Sequence, residues 1–252
     1  MYRAVVSGNA GAIKAWLQLG TNVNWKNVEE SNRTALHAAV QAGENKIMMD
    51  LISHNADIHV QDNNGTTPLH LAASEGHIEC LEALLKIKGI NVFQTDGHQR
   101  SAIYCSIFTG RLECSKILLN YIIDHADTVL KNEYLPVDKW KIIQYALENR
   151  VDDLRKQEKL ILTYPYVNQL SPYHAACSGG SLESLKYLLS IFKSDKTSVI
   201  IDQFQRSLLH YAAARGSTDI IKHLLSIKVD INARDCQNKT PIHFAAGLGR
   251  YG

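Results

Sequence analysis

A chain of 252 residues and 28.2 kDa carries 27 Lys and Arg against 25 Asp and Glu, a formal charge of +2. It has no basic run, so neither nucleic acid nor an acidic membrane is the expected partner. Hydrophobic residues make up 45%, enough for a continuous core, but the apolar runs are too short for a membrane-spanning helix, and Met1 to Gly8 lacks the apolar core of a signal peptide.

Taken in order, the chain repeats itself. Ala4 to Gly8 reads as the tail of a short helix. Thr34-Ala35-Leu36-His37-Ala38-Ala39 then starts a fuller version that ends at Gly43. The clearest copy is Thr67-Pro68-Leu69-His70-Leu71-Ala72-Ala73, closed by Gly76. Thr67 can cap a helix, and Pro68 follows at the first helical position, where a missing N–H is harmless. His70 is one turn on, able to bond the Thr hydroxyl or a neighbouring loop carbonyl, and Gly76 can take the left-handed conformation that ends a helix. Ser101-Ala102-Ile103-Tyr104-Cys105-Ser106 closes at Gly110, and Ser171-Pro172-Tyr173-His174-Ala175-Ala176 at Gly180. Ser207-Leu208-Leu209-His210 closes at Gly216, and Thr240-Pro241-Ile242-His243 at Gly249.

After every copy but the last comes a second helix with aliphatic residues at helical spacing. Examples are Ile13/Trp16/Leu17, Ile47/Leu51/Ile52, Leu81/Leu84/Leu85, Leu185/Leu188/Leu189 and Ile220/Ile221/Leu224. The stretch Asp62-Asn63-Asn64-Gly65 predicts a tight turn before the next cap.

Two features depart from this pattern. The fourth copy has Tyr104 in the histidine position and Ser106/Ile107 in place of two alanines, so its bonds to neighbouring copies and its local packing are expected to differ. Residues 120–166 are far longer than a connector. Within them, apolar positions at 137, 140, 143, 147, 151 and 154 predict one extra amphipathic helix starting after Pro136. Trp140 and Tyr145 would either pack back onto the array or form a docking surface. A shorter insertion spans Ile191 to Ile200.

The five cysteines, Cys80, Cys105, Cys114, Cys177 and Cys236, form no Cys-x-x-Cys pair and read as reduced thiols. Of the eleven histidines, His37, His70, His174, His210 and His243 share one position in the copies, which gives them a structural role; the rest have no ligand spacing. Cys177 with His174 would be buried, without an orienting group or oxyanion site. No catalytic residue, cofactor site or metal site is expected.

The Thr-Pro-Leu-His-x-Ala-Ala helix, the glycine cap, the Leu-Leu helix and the 33-residue period together resemble the ankyrin-repeat family. The resemblance implies an all-α solenoid of stacked antiparallel helix pairs with projecting hairpin loops: repeats one (partial) to four over 1–119, an insert over 120–166, and repeats five to seven (last partial) over 167–252. The incomplete ends suggest a fragment of a longer protein.

It also implies a non-catalytic scaffold or adaptor that binds another protein or peptide through a concave face of loop tips and first helices. The variable positions of such a face are Arg33, Gln41, Asn63, Asn64, Glu75, His98, Arg100, Phe108, Gln203, Phe204, Arg206 and Arg215. Arginine and aromatic residues are common anchors of protein interfaces. The alternative is a regulatory or targeting region of a larger enzyme or membrane protein, such as a GTPase-activating protein, acyltransferase, kinase or channel. A cytoplasmic monomer, or one at the cytosolic face of a membrane, is expected, with no nucleic acid and no direct membrane insertion.

Overall fold

The fold follows from one short helix that cannot bury its apolar face alone. A computed structural model of the chain describes residues 1–129, 137–163, 170–191 and 200–248. The described residues form two compact units, one of residues 1–106 and 113–121, the other of 107–112 and 122–252.

In the first unit the helices come in pairs: α1 (Tyr2–Val6) with α2 (Ala10–Gln18), α3 (Ala35–Gln41) with α4 (Asn45–Ser53), and α5 (Pro68–Glu75) with α6 (Ile78–Leu85). First helices stack on first helices, α1 on α3 and α3 on α5, and α4 packs on α6. Small side chains make this possible: Ala39, Ala72 and Ala73 are fully buried, so the backbones approach closely. Leu51, Leu81 and Leu84 close the core from the second helices. Next come α7 (Ala102–Phe108) and α8 (Leu112–Asp124), followed by α9 (Ala126–Val129). The division between units passes through α7, between Ser106 and Ile107.

In the second unit α10 (Val137–Leu147) pairs with α11 (Val151–Lys156), and α12 (Glu158–Thr163) follows. Then come α13 (Pro172–Gly179) with α14 (Leu182–Ile191), α15 (Leu208–Arg215) with α16 (Thr218–Ser226), and α17 (Pro241–Gly247). The first helices again stack in series, α10 on α13, α13 on α15 and α15 on α17.

The helix starts show the anticipated chemistry with one addition. Thr67 Oγ1 lies 2.7 Å from Nδ1 of His70, and the Thr67 amide donates to the same nitrogen. Nε2 of His70 then reaches the Arg100 carbonyl at 2.8 Å. The histidine therefore closes its own helix and ties it to the next hairpin. His37 does the same with Thr34 and the Thr66 carbonyl, and His210 with Ser207 and the Lys239 carbonyl. An acceptor at Nδ1 and a donor at Nε2 define one neutral tautomer. Burial lowers the pKa of His37, His70 and His210 and takes His174 down to about 4. His174 is fully buried and keeps the Ser171 cap, but its Nε2 makes no bond of ordinary geometry, although the Arg206 carbonyl lies in the corresponding place.

In the fourth copy, Tyr104 is buried in the histidine position, and Ser115 Oγ bonds Ser106 Oγ at 3.0 Å, Ser106 standing where Ala39, Ala72, Ala176 and Ala212 stand in other copies. Gly76, Gly180 and Gly216 cap their helices in the left-handed region. Gly249, Pro136 and residues 192–199 of the shorter insertion lie outside the described residues.

The single helix expected over 137–154 is instead two, α10 and α11. Asn149, at φ 59°, ends α10, and the Arg150 amide donates back to the Tyr145 carbonyl at 2.8 Å. His77 makes the same bond to Ala72 after Gly76. Asparagine here does the work of the capping glycine, because its short polar side chain tolerates the left-handed region. Its Oδ1 also accepts the Ser184 amide at 2.9 Å. The α10–α11 pair thus repeats the pairing of the other copies, and α11 packs on α14. Trp140 is buried, and the Arg150 guanidinium lies 4.5 Å from the ring centre of the half-buried Tyr145.

Candidate interaction surface

Four of the described hairpins are each built around one buried aspartate, and Asn27 takes that place in the first. Asp62 Oδ1 accepts the amides of Asn64 and Thr66, both at 2.9 Å. Asp96 treats His98 and Arg100 in the same way, Asp202 does so with Phe204 and Arg206, and Asp235 with Gln237 and Lys239. This local bonding bends the chain into a tip whose side chains point outward. Burial alone would raise the Asp62 carboxyl, but the Thr66 amide, Arg33 and the Asn64 amide outweigh it and hold its pKa below the usual range. Asp96 is held down in the same sense by Arg100 and its amide partners.

The tips are linked from copy to copy. The Asn63 amide donates to the Ser31 carbonyl at 2.8 Å, the Gly97 amide to Asn64 at 2.7 Å, and the Cys236 amide to Phe204 at 2.9 Å. Asn32 Nδ2 adds a 2.6 Å bond to Asn63 Oδ1.

On this frame the candidate partner-binding residues separate into two groups. Gln41, Asn63, Asn64, Glu75 and His98 are exposed in the first unit, and Gln203 is exposed in the second. Phe204 and Arg215 are half-buried. The others work inside the array. Arg33 pairs with Asp62 at 3.1 Å and with Gln41 Oε1 at 2.8 Å, and Arg100 pairs with Asp96 at 2.6 Å. Phe108 and Arg206 are buried: the Arg206 guanidinium lies 3.9 Å from the Phe108 ring centre and 4.8 Å from that of Phe204. Face-on stacking of a cation on aromatic rings explains how a guanidinium is accommodated there.

A groove of about 510 Å³ opens beside Gln41, lined by Tyr2, Val6, Glu29, Glu30, Ala38 and Ala42 among others. Tyr2 and Glu29 were not among the candidates. The available signal was positional, since Tyr2 takes the histidine position of the first, partial copy.

Two of the buried thiols are held in the unreactive protonated form. Burial pushes the Cys177 thiol well above its ordinary range and Cys80 up to about 11. Among the described residues no group of three or more His, Cys, Asp or Glu could hold a metal ion, and no helix is long and apolar enough to cross a membrane.

The family profile described as ankyrin repeats (3 copies) matches residues 1–96, 36–132, 137–235 and 173–252. The chain belongs to the ankyrin-repeat family. Its curated relatives are long. Human transient receptor potential cation channel subfamily A member 1 is 25% identical over 97% of this chain and 22% of its own length. The ankyrin repeat protein nuc-2 of Neurospora crassa is 25% identical over 98% and 22%. Mouse inversin is 29% identical over 77% and 18%. The chain therefore spans about a fifth of the relatives it matches. Among solved structures, the ankyrin repeat domain of Bcl-3 aligns over 99% of this chain and 96% of its own, with a TM-score of 0.50 and 21% identity. The fold is an ankyrin-repeat solenoid, a family of interaction modules without catalytic machinery of their own.

Proposed function

We propose that this chain is a non-catalytic protein-interaction module that takes its partner on the hairpin tips and the adjoining first-helix positions. One observation carries the reading. Folding uses the inner side of each hairpin and first helix, while Gln41, Asn63, Asn64, Glu75, His98 and Gln203 stay exposed. Gln41 and Asn63 also hold one surface bond each, to Arg33 and Asn32, but all six side chains face solvent, where a partner can reach them. Phe108 and Arg206 are left out of the contact set because they are buried, and Arg33 and Arg100 contribute through their aspartate pairs.

Capture of a partner from cell extract by the intact chain tests this, against Glu75→Arg/His98→Glu and Gln203→Glu variants. Lys222→Glu, at an exposed position on α16, serves as the control. Loss of the partner with the first two and retention with the control is expected. Equal capture by all folded variants would refute the reading.

A second reading places the chain as the regulatory or targeting region of a larger membrane protein or enzyme. Its support is the match across 97% of the chain to a cation channel of which it spans only 22%.

A further inference from the structure

We infer that the groove between α1 and α3 takes a lysine or arginine side chain of the partner, its charged head on Glu30 and Tyr2 and its stem along Val6, Ala38 and Ala42. The inference rests on the interaction reading above and names the chemistry that one part of that surface selects.

The groove exists because the first hairpin is longer than the next. Asp62 and Thr67 are five positions apart, and Asn27 and Thr34, in the same places, are seven apart. The added residues form a 3-10 turn, Val28–Glu30, and the chain returns to the cap through Ser31 and Asn32, both left-handed at φ 55° and 60°. This turn stands as a wall beside α1 and the end of α3, enclosing about 510 Å³. The two helices pack on each other, so the groove lies between neighbouring repeats.

Tyr2 is the observation that points to a ligand. It stands in the position where His37, His70 and His210 each bond a carbonyl of the next hairpin. Tyr2 is only 9% exposed and lines the groove, yet its hydroxyl bonds no described residue. A hydroxyl held in so little water gains from a partner that a ligand brings. Burial, and after it the Glu30 charge, raises the pKa of this hydroxyl and keeps it protonated beside the carboxylate.

The sign of the ligand follows from what the neighbouring charges already hold. Two arginines lie nearby, and both are engaged: Arg3 with Glu29 at 3.3 Å, and Arg33 with Asp62 and Gln41. Glu30 is exposed and has no ion pair among the described residues. One carboxylate, one hydroxyl and an apolar wall fit a long side chain with a cationic head. Its methylenes bury against the wall while its N–H groups reach both oxygens. An acidic head would meet Glu30 with like charge, and an apolar one would leave both oxygens without a donor.

The test is proton–nitrogen NMR of the intact, isotope-labelled chain, titrated with the N-acetyl methylamides of arginine, lysine, norleucine and glutamate. The arginine and lysine probes should shift the amide signals of Glu30, Gln41 and Ala42 saturably, with a Kd of about 1 to 10 mM, as befits a single side chain. Norleucine, which has lysine's stem without the charge, and glutamate should each bind at least about tenfold more weakly. Glu30→Gln, at an exposed position, should weaken the lysine probe about tenfold and Tyr2→Phe about threefold, while Lys222→Glu leaves it unchanged. The spectrum of each variant reports its folding. Equal binding of lysine and norleucine, preference for glutamate, full-strength binding to Glu30→Gln, or no shift with any probe would each overturn the inference. Such a failure is separable from that of the interaction reading, which stands as long as capture still depends on Glu75, His98 and Gln203.

Discussion

Arg33 and Arg206 occupy the same position in two hairpins, one residue before the helix cap, and each reaches the aspartate that opens the next hairpin. Arg33 does so at 3.1 Å with its side chain 23% exposed, beside Gln41. Arg206 does so at 3.6 Å with its side chain 6% exposed, among the rings of Phe108, Phe204 and Phe244. Arg100, in the same position, instead folds back on Asp96 of its own hairpin. The surroundings decide what each reach is worth. A pair whose arginine still reaches water, as Arg33 does above the buried Asp62, contributes less, because solvent screens it and ordering the side chain costs entropy. A guanidinium removed from water depends on its rings and its carboxylate together.

Removing each arginine should expose the contrast most strongly. Arg206→Ala is expected to cost about 3 kcal/mol, since it opens a space between three rings and leaves the buried Asp235 without its cation. Arg33→Ala should cost about 1 kcal/mol or less, with Asp62 still held by the Asn64 and Thr66 amides. Arg206→Lys should recover less than half of the loss, because an ammonium lacks the planar face that stacks on rings. Urea unfolding followed by circular dichroism reads both units, and the buried Trp140 reports the second alone when Trp16 and Trp25 are replaced by Phe. Equal losses for the two alanine variants would end the comparison.

Acid sharpens it next. His174 has a folded-state pKa of about 4, and an unfolded histidine titrates near 6.5. Between these values the unfolded chain binds more protons, so stability is fully present above the unfolded pKa and falls as the pH drops through that window. By pH 4 His174 alone should remove roughly 3 kcal/mol from the second unit. His37 and His70 act in the same direction in the first unit, where each keeps its carbonyl partner. Unfolding midpoints at pH 7 and pH 4.5 test this, with His174→Gln expected to flatten the dependence of the second unit. An unchanged slope in that variant would assign the acid sensitivity elsewhere.

Much of this was legible in the sequence because its causes are local. Thr67, Pro68, His70 and Gly76 act within about two turns, and their spacing is visible without coordinates. The α10–α11 break was not legible, because Asn149 performs the glycine's function without the glycine's signature. The aspartates at the hairpin bases could be read as turn formers. The reach of Arg33 to Asp62, 29 residues on, could not. Exposure at Asn63, Asn64 and His98 follows from their place at hairpin tips. Burial of Phe108 and Arg206 depends on Phe204 and Phe244, far along the chain, so composition alone favoured them as surface anchors.

The hairpin itself supplies the smallest and most local version of the contrast. Two residues before the cap the backbone is left-handed in both units: Gly65 at φ 72° in the first, and Gln205, next to Arg206, at φ 58° in the second. A Cβ on Gly65 would lie 2.5 Å from the backbone nitrogen of Gly97, a clash that cannot relax without moving the neighbouring hairpin. Gly65→Ala should therefore cost about 2 kcal/mol, adding conformational strain to the steric cost. Gln205 already carries a side chain, so its backbone has room and bears only the left-handed penalty. Gln205→Gly should then stabilise the second unit by about 0.5 kcal/mol, relief of that penalty outweighing the added freedom of the unfolded chain. Matched urea titrations decide it. If Gln205→Gly instead lowers stability, that side chain helps to hold Arg206 against its rings, and the cage extends one residue further along the hairpin.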